Sequence, residues 1–339
     1  MTLREIAEEV GVSISTVSRV VNSRNPHAAT PELQQAIWEC VRKTGYRPNN
    51  KMKNTAVSVV QTIPVRFIAC IFARNKTSVS DNTFFSGLSK SFEKTALSMN
   101  YITQSFFTAL ELNEANLEAM AQQNLAGVVI FGRHDKELVN RIKHIVPHVV
   151  YAGLARPAGD DYDAIICDRY KIGITAAEYF IRQGHKSIGY IGEIDKEITF
   201  DGFSETIRNN GLVLEKENAV NIFASMENGY LGMKRMLENK NRPTAVLCMN
   251  DYLAMGVLRA IHESNITCPQ DISILGVDDI ESANYSTPKL TTFHTPMEEL
   301  GTIAAKTLID RIEGGHTIPL KIFLPFSIIE RESCQVPSI

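Results

Sequence analysis

Long hydrophobic runs are absent from this chain of 339 residues: no stretch approaches the ~20 apolar residues of a membrane span, so no membrane partner is expected. The first residues read as a capped polar helix rather than a secretory leader, which makes the cytoplasm the expected location and argues against a transport role. Cysteine is sparse and scattered. The six, at positions 40, 70, 167, 248, 268 and 334, form no C-x-x-C pair and have no histidine-rich neighbours, so neither a zinc site nor a disulfide framework is expected. Catalytic signatures are missing as well, with no P-loop, nucleophile elbow or zinc-peptidase motif. The adjacent carboxylates Asp278 and Asp279 point apart in an extended chain, whereas glycosidase carboxylates face each other across a bond. An enzyme is therefore not expected, and no cofactor or metal is implied. After Ser333 there is no heptad repeat, so no tetramerising coiled coil is expected and a two-fold homodimer is the default assembly.

What is present is an ordinary globular composition, 44% hydrophobic and 22% charged, in a chain long enough for two or three domains. The formal net charge is −3, unevenly divided: residues 1–53 hold eight Lys and Arg against five Asp and Glu, leaving 27 against 33 for the remainder. The basic portion is the one suited to phosphate.

Within that portion, Val12 to Asn22 reads as a helix with two unlike sides at ~100° per residue. Thr16, Val17, Val20 and Val21 share one; Ile14, Ser15, Ser18, Arg19 and Asn22 share the other. Hydroxyls, an amide and an arginine can approach phosphates and base edges, and an isoleucine can meet a thymine methyl. An ordinary amphipathic surface helix has the same outline, so the surroundings decide. Thr2-Leu3-Arg4-Glu5 is a capping box, Leu3, Ile6, Ala7 and Val10 make an apolar stripe, and Gly11 ends that first helix. A third helix opens with Thr30 as N-cap and Pro31 in the first turn. Leu33, Ala36, Ile37, Cys40 and Val41 form its core side. Three short helices around a Gly-containing turn constitute a helix-turn-helix headpiece, expected over 1–48.

From 49 to 65 the composition changes to Asn, Lys, Thr, Ser and Val without apolar periodicity, which marks a linker. From Arg66 short apolar runs alternate with helical patterns. Strands are expected at Phe67–Phe72, Tyr101–Phe106, Gly127–Phe131, His148–Ala152, Ala164–Cys167, Ser187–Ile191, Ala219–Phe223, Ala245–Met249 and Ile272–Val277, with helices between them. This pattern implies parallel sheets covered on both faces, and nine strands suit two α/β subdomains: 66–163 with 296–323, and 164–295 with 324–339. Ligands gather beyond the carboxyl ends of such strands. Arg74, Arg133, Asp168, Asn250, Asp251, Asp278 and Asp279 all follow apolar runs there. For Asp251 and Asp279 a cap or turn role is the better reading.

The ordered motif of Thr2–Val10, Gly11-Val12-Ser13, Thr16-Val17-Ser18-Arg19-Val20 with Asn22, and Gly45-Tyr46-Arg47-Pro48-Asn49 resembles the headpiece of the lactose/galactose repressor (LacI/GalR) family of bacterial transcription factors. Gly184-His185-Lys186, Pro243–Met249 with Asn250-Asp251, and Gly276-Val277-Asp278-Asp279-Ile280 with Leu290-Thr291-Thr292 extend the likeness over essentially the whole chain. The resemblance implies an all-α helix-turn-helix headpiece plus an α/β two-subdomain effector domain of the periplasmic-binding-protein type. It implies that Ile14, Ser15 and Arg19 reach base edges of double-stranded operator DNA and that Thr2, Ser13, Ser18 and Asn22 lie near phosphates. Asn250 and Asp278 would contact effector hydroxyls, with Phe84, Phe85, Arg133, Asp168 and Phe223 as further lining candidates.

Two departures stand out. Thr55 occupies the place of a minor-groove leucine, leaving Lys51 and Lys53 as the linker's DNA contacts. Thr199 stands where an arginine usually precedes Gly202-Phe203, which argues for a neutral ligand. The expected function is a repressor of sugar-utilisation genes released by a small neutral, galactoside-like saccharide. The alternatives are a sugar-binding protein without a DNA role and a regulator with a corepressor.

Overall fold

The structure is a computed structural model, and it describes residues 2–23, 29–44, 66–73, 83–108, 111–132, 136–155, 157–195 and 197–337. Two compact units divide it, Met1–Thr62 and Ile63–Ile339.

The first unit holds three helices, α1 (Leu3–Val10), α2 (Ile14–Ser23) and α3 (Pro31–Thr44). Thr2 Oγ1 accepts the Glu5 amide at 3.4 Å while Glu5 Oε2 accepts the Thr2 amide at 3.0 Å, so the capping box satisfies two donors that a helix start leaves open. Gly11 closes α1 in the left-handed region, at φ 72°, where other residues are strained. Ile6, Ala7, Val17, Val20, Val21, Ile37, Cys40 and Val41 are buried together, contributed by all three helices.

The second unit is built on two six-stranded sheets. The first contains β1 (Arg66–Ala73), β2 (Tyr101–Thr108), β3 (Gly127–Gly132), β4 (Val149–Gly153), β5 (Asp163–Cys167) and β11 (Lys321–Leu324), ordered β11-β5-β4-β3-β1-β2 and parallel throughout. Its helices are α4 (Thr83–Ser98), α5 (Glu114–Gln122), α6 (Lys136–Lys143) and α11 (Met297–Ile312). The second sheet contains β6 (Ile188–Gly192), β7 (Ala219–Asn221), β8 (Ala245–Cys248), β9 (Ser273–Asp278), β10 (Thr291–His294) and β12 (Ser327–Ile329), ordered β12-β10-β9-β8-β6-β7. Only β12 runs antiparallel there. Helices α7 (Arg169–Arg182), α8 (Ile198–Asn209), α9 (Met226–Leu237) and α10 (Asp251–Glu263) belong with it. Runs such as Ile68–Ala73 and Val128–Phe131 are buried along their whole length, as strands covered on both faces must be.

The chain crosses between sheets three times, after β5, β10 and β11. One expected boundary needs correction. Residues 164–167 belong to the first subdomain, because β5 pairs with β4 and β11, so the crossing falls at Asp168. The irregular stretch before β5 is internal to the first subdomain: Lys321 Nζ donates to the Gly159 and Tyr162 carbonyls at 2.8 and 2.9 Å. Close packing of α7 on α8 needs glycine at both contact points. A Cβ on Gly173 would lie 2.0 Å from the Thr199 carbonyl oxygen, and one on Gly202 2.3 Å from that of Tyr170. Among the described residues no helix is long and apolar enough to cross a membrane.

Candidate functional site

In the first unit, the buried side of α2 orients its opposite side. Val17, Val20 and Val21 are at most 4% exposed, which turns Ile14, Ser15 and Arg19 to solvent, Ile14 to 47%. Ser18 is half-buried on the same side. Ser13 caps the helix, its Oγ accepting the Thr16 amide at 3.2 Å and lying 2.7 Å from the Ser15 hydroxyl. Arg19 Nε donates to the Ser15 carbonyl at 3.3 Å, laying the arginine along the exposed surface. Thr2 and Ser13 thus use their oxygens as acceptors in caps, and a hydroxyl so placed still has a proton to donate to phosphate. Asn22 lies within α2, and its side chain is outside the described part, as are Lys51, Lys53 and the whole linker from 49 to 65.

In the second unit, polar groups collect at the carboxyl ends of the second sheet and at the first crossing. Asp168 is the N-cap of α7, accepting the Tyr170 and Lys171 amides at 3.0 and 3.4 Å. Asn250 is the N-cap of α10: Oδ1 accepts the Leu253 amide at 2.9 Å, while Nδ2 has no partner among the described residues. Asp278 ends β9 with φ 111° and Asp279 follows with φ 56°, two successive residues in a region costly for a side chain bearing Cβ. Ion pairs hold both. Arg169 Nη2 lies 3.0 Å from Asp278 Oδ1, and Arg331 Nη2 lies 2.6 Å from Asp279 Oδ1, with His294 Nδ1 on the other oxygen at 3.0 Å. Asp251 is fully buried, accepting the Thr292 hydroxyl at 2.6 Å and the Ile280 amide at 3.0 Å, so it fastens the turn after β9 to α10. Burial, and then the nearby Asp278 charge, push its carboxyl well above the ordinary range.

Of the lining candidates, Asp168, Asn250 and Asp278 come to these strand ends. Phe223, 64% exposed, lies two residues after β7 with its carbonyl accepting from Asn228 Nδ2 at 2.9 Å. Phe84 and Phe85 lie in the first turn of α4 with their side chains outside the described part; Arg133 and Arg74 are outside the described residues.

Two residues escaped the sequence reading. Arg169, 8% exposed, opens α7 immediately after Asp168 and supplies a guanidinium here. Burial opposes its charge, but the Asp278 and Glu197 carboxylates outweigh that and hold its pKa raised. Glu197 is 1% exposed and accepts both the hydroxyl and the amide of Thr199, at 2.9 and 3.3 Å. The absence of arginine at Thr199 therefore does not leave this region without one. Its position directly beyond a strand end was the available signal; the distant Asp278 partner was not visible.

The family described as bacterial regulatory proteins, lacI family, matches residues 2–49, and the periplasmic binding protein-like domain matches residues 177–334. The HTH-type transcriptional repressor PurR of Yersinia enterocolitica is 30% identical over 342 residues, covering 98% of this chain and 96% of its own.

This chain belongs to the LacI family.

Two solved structures share the LacI-family fold over nearly its full length. The lac repressor dimer bound to operator and the anti-inducer ONPF has a TM-score of 0.72 at 21% identity, covering 99% of both chains. The transcriptional regulator CelR–cellobiose complex has a TM-score of 0.70 at 23% identity, covering 98% of this chain and 99% of that one. As a LacI-family member the protein is a DNA-binding regulator with a small-molecule-sensing domain, and not an enzyme. Among the described residues no group of His, Cys, Asp and Glu is placed to hold a metal ion.

Proposed function

We propose that this LacI-family regulator is a homodimeric cytoplasmic repressor of sugar-utilisation genes, released from its operator by a small neutral, galactoside-like saccharide. The observation that carries the ligand class is the grouping of Asn250, Asp278 and Arg169 at one set of strand ends, where an amide donor and a carboxylate stand ready for hydroxyl groups. The complexes of CelR with cellobiose and of an Enterococcus faecium LacI-family regulator with ribose give saccharides as ligands of similarly folded proteins.

On the DNA side, Ile14, Ser15 and Arg19 read base edges in the major groove, while Thr2, Ser13, Ser18 and Asn22 engage phosphates. Lys51 and Lys53 extend the contact beyond the headpiece. A dimer would set two recognition helices ~34 Å apart on a near-palindromic site. Phe84, Phe85, Arg133, Asp168 and Phe223 complete the ligand surroundings. Saccharide favours the conformation that binds DNA weakly, with a coupling of roughly 1–3 kcal/mol.

The test is to titrate the protein on DNA from its own gene's upstream region against a panel of neutral mono- and disaccharides. Release by at least one sugar is expected. Tighter binding would reverse the sign to corepression, and indifference to every sugar would refute the ligand class.

A further inference from the structure

On the reading of these strand ends as the effector site, we propose that Arg169 is the positioning residue that sets its charge selectivity. By compensating Asp278 from within the fold, it makes the site accept an uncharged polyhydroxylated ligand and reject an anionic one. Arg169 leaves β5 at the first crossing, and its guanidinium reaches a carboxylate 109 residues away at the end of β9. The two side chains are 10% and 7% exposed, so water and salt screen the pair little. Glu197, 1% exposed, adds a second carboxylate whose field falls on the same guanidinium.

An incoming anion therefore meets a cation already balanced by the Asp278 and Glu197 carboxylates. A hydroxyl meets no such repulsion. It can accept from Asn250 Nδ2 and donate to a carboxylate oxygen. Arg169 Nε is buried without a partner among the described residues and is a further donor for an acceptor oxygen. Thr199 does not compete for this role, being fully buried with its hydroxyl on Glu197.

The experiment measures thermal unfolding of the full chain with glucose, glucuronate or glucosamine at matched ionic strength, in the unaltered protein and in Asp278→Asn, Arg169→Gln and Arg169→Lys. Unaltered protein is expected to be stabilised more by glucose than by glucuronate. Asp278→Asn removes the carboxylate paired with the guanidinium, leaving only Glu197 beside it, and should shift the order of the probes toward glucuronate by about tenfold. Arg169→Gln removes the cation paired with Asp278 and should shift the order toward glucosamine to a similar degree, while Arg169→Lys restores the neutral preference.

If a variant does not fold in buffer, folding in the complementary charged probe is the same readout, and rescue by neither charged sugar overturns the proposal. A purely structural Arg169 would lower the melting temperature without changing the order of the probes, which also overturns it. So does a preference of the unaltered protein for glucuronate. Release of DNA by sugars together with an unchanged probe order would sink this inference alone; no response to any saccharide in any variant would sink the effector reading as well.

Discussion

The two units treat their candidate functional residues in opposite ways. In the headpiece, Ile14, Ser15 and Arg19 stand outside a core made by other residues, and they can change without disturbing it. At the strand ends of the larger unit, Asp168, Arg169, Asn250 and Asp278 are no more than 9% exposed and also cap helices or hold a strained turn. A surface that reads another molecule by its side chains can be separated from stability. A site that couples ligand to conformation is made of the same groups that hold the conformation.

The sharpest contrast comes from two arginines. Arg169→Ala leaves Asp278 buried without its counter-ion, and a loss of about 3–5 kcal/mol in unfolding free energy is expected by denaturant titration. A loss below about 1 kcal/mol, the value of an exposed pair, would break the comparison. Within the headpiece the equivalent loss should come from the core and not from the reading side. Ile6→Ala is expected to lose about 2–5 kcal/mol of headpiece stability, and with it operator binding. Persistence of the headpiece helical signal and of DNA binding would contradict the assignment of that small core.

Arg19→Ala should leave unfolding within about 0.5 kcal/mol while weakening specific DNA binding by about 1–3 kcal/mol in gel-shift titrations. Equal weakening on specific and random DNA would demote Arg19 to a phosphate contact. Asn250 permits a finer separation. Asn250→Asp keeps the oxygen that caps α10 and removes the amide donor, so the sugar response should vanish with little change in stability. Asn250→Ala should add a capping loss of about 0.5–2 kcal/mol. A normal sugar titration in both variants would mean that the site lies elsewhere.

The smallest effect concerns pH. His316 lies between two carboxylates, Nε2 at 3.1 Å from Asp163 and Nδ1 at 2.5 Å from Asp310, with Arg311 also paired to Asp163. Burial and the Arg311 charge oppose protonation, but the two carboxylates outweigh them and raise the imidazole above its ordinary 6.5. The stabilisation is therefore fully present below about pH 6.5 and is lost as pH rises through the folded-state value. His316→Ala should flatten that part of the stability profile. An unchanged profile would show that the imidazole is not held in its charged form.

Much of the architecture was legible because it rests on local patterns. Nine strands and the helices between them follow from alternating apolar runs, and the Thr2–Glu5 box and Gly11 delimit α1 through groups a few residues apart. The three late strands were not read. Thr291–His294, Lys321–Leu324 and Ser327–Ile329 are short and carry Thr, His, Lys or Ser, and they are strands because earlier ones offer open edges to pair with. The boundary error at β5 has the same origin, since its sheet is settled by β4 and β11 and not by its own residues. At the site, Asn250 and Asp278 were found as polar residues past apolar runs. Arg169 was overlooked because its meaning depends on a partner across the fold.

By itself the sequence determined the class of each unit, the phase of α2 and the family, all of which depend on periodicity, caps and ordered motifs within a few turns of chain. Only the tertiary structure decided which sheet received β5, that Asp168 and Asn250 serve as caps, and that Arg169 and Asp278 form one buried pair. The physical reason is range. Helix phase and capping act between neighbours in the chain, whereas strand pairing and buried charge compensation act between residues that meet only when the chain has folded.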